Sequence, residues 1–341
     1  MEGKHAPMEM IATGATSFVG AAAVREFLNR GHRVFGILRP DSKTREILEN
    51  SCRKWIENGQ LILVENDLQT PEKLPGLLEG RLSRTERSFF HFGWGGSGSG
   101  ARNDKELQKA NLEASLNTIR AAKELGCGRF FFSGSQAEYG LHREMTTEES
   151  ACAPRSAYGE AKLAMRRNGE LLCKKLGIRY IHGRIFSVYG PGDHPWTLVE
   201  TCLDACMNGG EIRLGACTQL WNFLYMDDLA RALADLAELP DAALEALDNP
   251  VFNLAGEETK PLKSFVEEIN SLCGGRGTLI YGARTENAEG LIHLNPSIKK
   301  LQNVTGWRQE TDFRQGIQKL MIDKQEKRDT MGNVDRKSRK E

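Results

Sequence analysis

The chain has 341 residues, 40% of them apolar, and its 46 basic and 46 acidic side chains give a formal net charge of zero. A chain of this length holds one large α/β unit or two domains with a sizeable core. The balanced charge gives no electrostatic reason to expect nucleic acid as a partner, and no apolar run approaches the roughly 20 residues that cross a bilayer. Residues 1–7 also lack the apolar stretch of a secretory signal. We therefore expect a cytoplasmic protein with neither nucleic acid nor a membrane as partner.

A glycine-containing turn near the N-terminus is the first candidate binding site. An apolar run at residues 8–12 predicts a buried strand, and an amphipathic pattern predicts a helix from Phe18 to about Arg30. A strand, a glycine turn and a helix N-terminus suit a pyrophosphate, because free backbone N–H groups and the helix dipole point at the anion. The candidate residues are Gly14, Thr16, Ser17, Phe18, Val19 and Gly20.

Within this turn, Gly14 would make the bend and Gly20 would let the helix approach the strand. The usual dinucleotide fingerprint has a third glycine between them. Ser17 holds that place and can still donate a backbone N–H. The alternative is an ordinary strand, turn and helix built from small residues.

The second predicted strand, residues 33–38, ends at Arg39, where an NAD-preferring enzyme would place an acidic residue against the ribose hydroxyls. A guanidinium can bind a 2'-phosphate bidentately, and Lys43 adds a second positive charge. The sequence therefore favours NADP(H) over NAD(H). Asp41 keeps NAD(H) as the alternative, and a solvated arginine after a strand is the other interpretation.

Three polar residues near the middle of the chain suit the transfer of a hydride together with a proton. Tyr158 and Lys162 stand four residues apart, so on a helix both project from one face. There the lysine charge favours the phenolate and brings proton exchange by Tyr158 within range. Ser135 would hydrogen-bond the substrate oxygen. This spacing alone is weak evidence.

Apolar strand runs alternate with helical stretches through the first half of the chain, which predicts a parallel sheet with helices on both faces. Ligands bind at the carboxyl ends of such strands. We predict a dinucleotide-binding domain from residues 1–186 and 222–255, a smaller substrate domain from residues 187–221 and 256–322, and a disordered polar tail at residues 323–341.

Further motifs in the same order resemble those of the extended short-chain dehydrogenase/reductase family, in its branch of nucleotide-sugar epimerases, dehydratases and 4-ketoreductases. The resemblance runs from about Met8 to Gln318. Besides the glycine turn and the Tyr158 to Lys162 run, it rests on Asp67-Leu68, His91-Phe-Gly-Trp94, Asn111, Ser133-Gly-Ser-Gln-Ala-Glu-Tyr-Gly140, residues 184–192, residues 221–230 and residues 251–256.

The resemblance implies a Rossmann-type doubly wound parallel sheet with a smaller, discontinuous C-terminal substrate domain. It implies that Asp67 and Leu68 contact the adenine end of the cofactor and that Phe92 and Gly93 line its nicotinamide side. Ser135, Tyr158, Lys162 and Asn111 would then be the catalytic set, with Lys162 also contacting the cofactor. A homodimer through the two long helices, around residues 104–125 and 157–176, is expected from the family alone.

The dehydratases of this family place an aspartate and a glutamate directly after the catalytic serine or threonine. This chain has Gln136 and Ala137 there, so elimination of water lacks its acid and base. Glu138 follows at the next position, but neighbouring residues of an extended segment face opposite ways, so its carboxylate need not replace the missing one. We set the dehydratase aside.

The expected substrate is a nucleotide-diphosphate sugar, although two groups that often hold the diphosphate are replaced. Ser187 stands where the family often has asparagine, and Trp221 where it often has arginine. Trp221 would stack on a base or sugar, or else pack in the core beside Phe223 and Tyr225. Arg213 and His293 are candidate substitutes. Trp94, in the glycine-rich run from Gly93 to Gly100, would sit over the substrate, and Gln136 would face it.

The sequence predicts an NADPH-dependent reductase of a nucleotide-bound 4-keto-(6-deoxy)hexose. A 4-epimerase with tightly bound NAD is the alternative, and an inactive nucleotide-binding regulatory protein on the same fold is a further one. The eight cysteines lack the paired spacing of zinc sites, so we expect no metal and mostly reduced, buried thiols.

Overall fold

The structure, a computed structural model, describes residues 6–98, 100–284 and 291–338, with side chains up to residue 329. Its strands are β1 (Glu9–Thr13), β2 (Arg33–Leu38), β3 (Leu61–Glu65), β4 (Arg87–His91), β5 (Arg129–Ser135), β6 (Arg179–Ile185), β7 (Ser187–Tyr189), β8 (Glu211–Arg213), β9 (Leu220–Tyr225), β10 (Val251–Leu254), β11 (Thr259–Pro261) and β12 (Thr278–Ile280).

The helices alternate with these strands through the first half of the chain, as expected. They are α1 (Phe18–Asn29), α2 (Arg45–Ser51), α3 (Arg53–Glu57), α4 (Leu74–Leu78), α5 (Lys105–Glu124), α6 (Ala157–Leu176), α7 (Leu198–Met207), α8 (Met226–Ala237), α9 (Asp241–Glu245), α10 (Leu262–Leu272), α11 (Lys299–Thr305) and α12 (Phe313–Ser338).

A seven-stranded parallel sheet in the order β10-β6-β5-β4-β1-β2-β3 is the centre of the fold. Its strands are nearly continuous buried runs, as expected where helices cover both faces. The chain winds outward from β1 in one direction through β2 and β3, and in the other through β4, β5 and β6. This reversal opens a crevice at the carboxyl ends of β1 and β4. The α/β prediction with a doubly wound parallel sheet is confirmed.

The two smaller sheets are formed by strands that follow β6 along the chain. A three-stranded sheet has the order β11-β9-β7, and a two-stranded one joins β12 to β8. A separate apolar core lies among these strands and helices α7, α10 and α12. Because β9 pairs with β7 and β11, residues 222–225 belong to the small sheet, whereas the sequence placed them in the dinucleotide-binding domain. The chain returns to the large sheet only at β10.

The polar tail is helical rather than disordered as far as the structure describes it, because α12 continues to Ser338. Buried Ile317 and Leu320 fix the first part of this helix in the second core. Beyond them, Lys324 donates to Asp204 at 2.9 Å, and Lys327 pairs with Asp323 one turn earlier. Ion pairs of this kind prolong a helix without any apolar pattern, which is why the sequence did not predict it. Residues 339–341 lie outside the described residues.

The described part of the chain contains no helix long and apolar enough to cross a membrane. All eight cysteines are free thiols, and only Cys152 is not fully buried. In the same part of the chain, no three metal-ligating side chains lie close enough together to hold an ion.

The glycine after β10 joins the two sheets, and this contact gives a test of the fold. A Cβ at Gly256 would lie 2.2 Å from the Phe223 carbonyl oxygen on β9, and Asn222 hydrogen-bonds both backbone groups of Gly256. We expect Gly256→Ala to lower the free energy of unfolding by about 1–3 kcal/mol in urea titrations, because backbone must move. Gly76→Ala, in the middle of α4 with open space around it, is the control and should not destabilise. Equal stability of both variants would contradict the assigned contact.

Candidate active site

The glycine turn between β1 and α1 is shaped by two close backbone approaches. Gly14 has a φ of +67°, and a Cβ there would lie 2.7 Å from the Gly93 backbone nitrogen. A Cβ at Gly20 would lie 2.1 Å from the Gly14 carbonyl oxygen. Glycine at these positions therefore brings α1, β1 and the segment after β4 together. The backbone of neighbouring segments fills the places that side chains would take at these two positions.

Ser17 has a different part in this turn from the one the sequence predicted. Its backbone N–H donates to the Gly14 carbonyl at 2.9 Å, and its hydroxyl accepts the Gly20 N–H at 3.1 Å as the N-cap of α1. The amide expected to face a phosphate is thus used within the turn. The N–H groups of Phe18 and Val19, in the first helical turn, have no intrahelical partner and remain for an anion.

The loop after β2 is fastened to the glycine turn by hydroxyl groups. Thr16 Oγ1 lies 2.7 Å from Ser42 Oγ, and the Thr44 hydroxyl donates to the Thr16 carbonyl at 2.8 Å. Arg39 and Asp41 on this loop are exposed, with side-chain exposures of 62% and 83% and a contact of 4.0 Å between them. Both signs of charge therefore lie next to the candidate phosphate site.

The segments after β3 and β4 also meet at this edge. A Cβ at Gly93 would lie 2.5 Å from a Leu68 methyl group, so the two segments touch. Asp67 is exposed and its carboxylate accepts the Gln69 N–H at 2.8 Å, which shapes the turn. Phe92 is 7% exposed and stacks on Phe90 in the core rather than lining the crevice broadly.

Ser135 lies at the end of β5, and Tyr158 and Lys162 lie in the first two turns of α6. Lys162 Nζ donates to the Ser133 carbonyl at 2.7 Å. A Cβ at Gly159 would lie 2.6 Å from the Ala137 carbonyl oxygen, so this glycine lets the start of α6 press on the turn that contains Ser135.

Aromatic rings surround the Lys162 ammonium. Its nitrogen lies 4.0 Å from the ring centroid of Trp94, 4.6 Å from that of Phe132 and 5.6 Å from that of Tyr158. Burial lowers the pKa of Lys162 to about 7, and the Glu138 carboxylate opposes that shift. Lys162 is thus a group whose charge changes near neutral pH, beside the phenol that it was predicted to assist.

Arg102 is a second cation at Tyr158 and was not predicted from the sequence. Its guanidinium carbon lies 4.5 Å from the centroid of the Tyr158 ring, and its carbonyl accepts the Tyr158 backbone N–H at 2.8 Å. It stands at the end of the glycine-rich run, where no spacing pattern links it to Tyr158. Two basic side chains, Lys162 and Arg102, therefore lie near the Tyr158 ring.

Asn111 holds the start of that glycine-rich run. Its amide donates to the Gly95 carbonyl at 2.8 Å, and its oxygen accepts the Gly95 N–H at 3.2 Å. Gln108, also on α5, accepts from the Trp94 indole N–H at 2.8 Å and donates to the carbonyls of Gly96 and Ala101. Trp94 is consequently fixed as a wall beside Lys162 and Tyr158. Ser99 lies outside the described residues.

His91, on β4, is buried in the core. Its two ring nitrogens lie 2.6 Å from Thr13 Oγ1 and 2.9 Å from Ser115 Oγ, which ties β1, β4 and α5 together. Burial, and then the Lys162 charge, lower its pKa to about 3, so it is neutral.

The candidate substrate residues are spread over the small sheets. Ser187 and Trp221 lie on β7 and β9, where Ser187 pairs with Phe223. The Trp221 indole N–H is buried with no hydrogen-bond partner among the described residues, and His293 Nδ1 accepts the neighbouring Leu220 N–H at 3.2 Å. Arg213, on β8, is 63% exposed and lies 3.6 Å from Glu211. Gln136 is partly exposed next to Ser135.

A glycine turn, with a serine, a tyrosine and a lysine near the carboxyl edge of a parallel sheet, is the arrangement that the resemblance to the short-chain dehydrogenase/reductase family predicted. The model of the NAD-dependent epimerase/dehydratase family matches residues 10–255. The chain belongs to this family. Its Rossmann-type fold and the recognition of the family from sequence motifs are thereby confirmed.

Similar proteins come from several bacteria. The chain is 23% identical over 320 residues to an uncharacterised UDP-glucose epimerase, YtcB, of Bacillus subtilis, which covers 87% of this chain and 96% of that protein. It is 22% identical over 273 residues to dTDP-6-deoxy-L-talose 4-dehydrogenase (NAD(+)) of Aggregatibacter actinomycetemcomitans, covering 77% and 89%. The solved UDP-glucose 4-epimerase of Thermotoga maritima superposes with a TM-score of 0.79 at 22% identity, covering 94% and 99%, which shows a shared fold.

Burial of Lys162 predicts a pH dependence of stability. Below about pH 7 the folded state carries a buried charge, whereas between pH 7 and the ordinary value of 10.5 the unfolded chain binds more protons, so wild-type stability rises with pH. Lys162→Met removes this cost. We expect its free energy of unfolding, relative to wild type, to be greatest at pH 6 and to decrease by pH 9 in urea titrations. Lys175→Met, at an exposed site on the same helix, is the control. A pH-independent difference for Lys162→Met would contradict the assignment.

Proposed function

We propose that the protein reduces a nucleotide-diphosphate 4-keto-(6-deoxy)hexose with NADPH. The observation that supports this proposal is the contact of Lys162 with the Ser133 carbonyl, two residues before Ser135, and with the Tyr158 ring, together with the glycine turn and exposed Arg39. The names of the similar proteins, a UDP-glucose epimerase and a dTDP-sugar 4-dehydrogenase, support a nucleotide sugar with chemistry at C4.

In this reaction the bound nicotinamide would supply the hydride to the keto carbon. The Ser135 hydroxyl donates a hydrogen bond to the keto oxygen, and Tyr158 gives that oxygen its proton. Lys162 and Arg102 place positive charge around the phenol and stabilise the phenolate left behind. Asn111 and Gln108 hold Trp94 against Lys162, which keeps water away from the ammonium.

The cofactor preference rests on the loop from Arg39 to Thr44. Arg39 is free to turn toward a 2'-phosphate because its contact with Asp41, at 4.0 Å, is beyond hydrogen-bond length. Lys43 is exposed on the same loop. We propose NADP(H) on this ground, within a family described as NAD-dependent.

Trp221 is proposed to serve the diphosphate in place of the usual arginine. Its buried indole N–H lacks a partner among the described residues, and a phosphate or sugar oxygen would satisfy it. Ser187 lies on the same face of the small sheet, since its register partner Phe223 is two residues from Trp221.

A 4-epimerase with tightly bound NAD is the second candidate. The same three residues would withdraw a proton as hydride leaves C4 and return it after the keto sugar rotates. Two observations favour it: the UDP-glucose 4-epimerase likeness, and exposed Asp41, whose carboxylate can accept from ribose hydroxyls. A dehydratase is disfavoured, because Gln136 and Ala137 supply neither acid nor base and Glu138 is engaged by His182 and Arg184.

Removal of the phenol tests the catalytic assignment. Tyr158→Phe should lower kcat by about 10²- to 10⁴-fold, because proton transfer to the substrate oxygen is lost. The measurements are NADPH oxidation with dTDP-4-keto-6-deoxyglucose and C4 epimerisation of UDP-glucose. Cofactor affinity, followed by fluorescence titration, should stay nearly unchanged. Full turnover by this variant on either probe would refute the role of Tyr158.

Charge reversal at Arg39 tests the preference for NADP(H). Arg39→Glu should weaken NADPH about 10- to 100-fold and NADH much less, since hydrogen bonds to charged groups contribute about 1.5–3 kcal/mol. Arg53→Glu, on α3, is the control for net charge. Equal losses for both cofactors would remove the preference for NADP(H), and retention of NAD during purification would favour the epimerase.

A further inference from the structure

Glu138 is fully buried, with an exposed fraction of 0%, directly beside the proposed catalytic serine. Its carboxylate faces three donors. Oε1 accepts the Ser135 backbone N–H at 2.8 Å and lies 2.9 Å from His182 Nε2, and Oε2 accepts from Arg184 Nε at 2.9 Å. His182 and Arg184 are two residues apart on β6 and so project from the same face of the sheet.

The protonation of this network follows from its contacts. Burial lowers the pKa of His182, and the Glu138 carboxylate opposes that shift. The His182 Nε2 carries a proton because a carboxylate faces it. Its Nδ1 lies 3.0 Å from the Tyr180 hydroxyl oxygen. Although burial alone would raise the pKa of Glu138, His182 and Arg184 lower it to about 2, so the carboxylate is charged.

The turn after β5 connects this charge to the serine hydroxyl. Residues 136–138 form one turn of 3₁₀ helix, and Ser135 caps it: its Oγ accepts the Ala137 N–H at 3.2 Å while Glu138 accepts the Ser135 N–H. Since one lone pair of Oγ takes the Ala137 N–H, the hydroxyl proton is left to donate elsewhere. This is the donor that the proposed reaction requires.

The space for Glu138 is reserved by a glycine. A Cβ at Gly134 would lie 2.3 Å from His182 Nε2 and 2.7 Å from Glu138 Oε1. The carboxylate of Glu138 thus occupies space that a side chain at Gly134, on β5, would otherwise fill. A buried charge held this closely next to the crevice is costly unless every contact is made.

We infer that Glu138 is a positioning residue, held by His182 and Arg184, that fixes Ser135 so that its hydroxyl proton points to the substrate oxygen. This inference rests on the proposed function, in which Ser135 orients the keto group. Glu138 does not touch the substrate. It acts through the backbone of Ser135, and its charge also helps keep Lys162 protonated.

Glu138→Gln tests the inference with little change of shape. A carboxamide has one acceptor oxygen, and its NH₂ must face either Arg184 or the Ser135 N–H, both of which are donors. The oxygen should stay with the charged Arg184, so Ser135 is released. The control is Tyr180→Phe, which removes the outer hydrogen bond to His182 and leaves every contact of Glu138 in place.

The first measurement needs no substrate. Amide hydrogen exchange of the segment 133–139 should become faster in Glu138→Gln and stay at the wild-type rate in Tyr180→Phe. Unchanged exchange in Glu138→Gln would overturn the inference. So would equal acceleration in both variants, because that result indicates a general loss of stability.

The second measurement is a double-mutant cycle with Ser135→Ala on the same two probes, dTDP-4-keto-6-deoxyglucose with NADPH and UDP-glucose. Glu138→Gln should lower kcat by about tenfold or more with KM and cofactor affinity little changed, and should add little in the Ser135→Ala background. A full, additive loss in that background would overturn the inference. If Ser135→Ala itself retains wild-type turnover, or wild type converts neither probe, the proposed function fails instead, and the exchange result still decides whether Glu138 fixes Ser135.

Discussion

The close approach of backbone segments at one edge of the large sheet is the constraint on which the rest of the site depends. Gly14 lies against Gly93, Gly20 against Gly14, and Gly159 against Ala137. A methyl group at any of these positions would separate segments that carry the glycine turn, the turn after Ser135 and helix α6. Glycine is entropically unfavourable within helices, and here that cost allows distant parts of the chain to share one crevice.

Much of this architecture follows from local pattern. The apolar runs at residues 33–38 and 61–65 match β2 and β3, and the predicted helix from Phe18 matches α1, because burial on both faces and amphipathic spacing are local properties. The convergence of Ser135 and Lys162 followed from a family resemblance that brought motifs distant in sequence to one sheet edge. In the structure, the Lys162 ammonium donates a hydrogen bond to the Ser133 carbonyl.

The sequence did not predict contacts between side chains that no periodic pattern brings together. Glu138 was assigned to an extended segment, whereas a 3₁₀ turn swings its carboxylate back onto His182 and Arg184, two residues more than 40 positions away. The helical tail depends on Lys324 reaching α7, and the Arg102 contact depends on how a glycine-rich loop returns to α6. Such contacts are fixed by tertiary packing, which one sequence does not display.

The surface loop that carries Arg39 and Asp41 has a consequence for the adaptability of the protein. It is fastened by Ser42 and Thr44, while the two charged side chains extend into solvent and support no part of the core. Selection can therefore exchange one charge for the other without endangering folding. If these charges face the cofactor's ribose, as proposed, the choice between the reducing pool that drives biosynthesis and the pool that serves oxidation is a modular trait, open to change by one or two codons while the interior stays as it is.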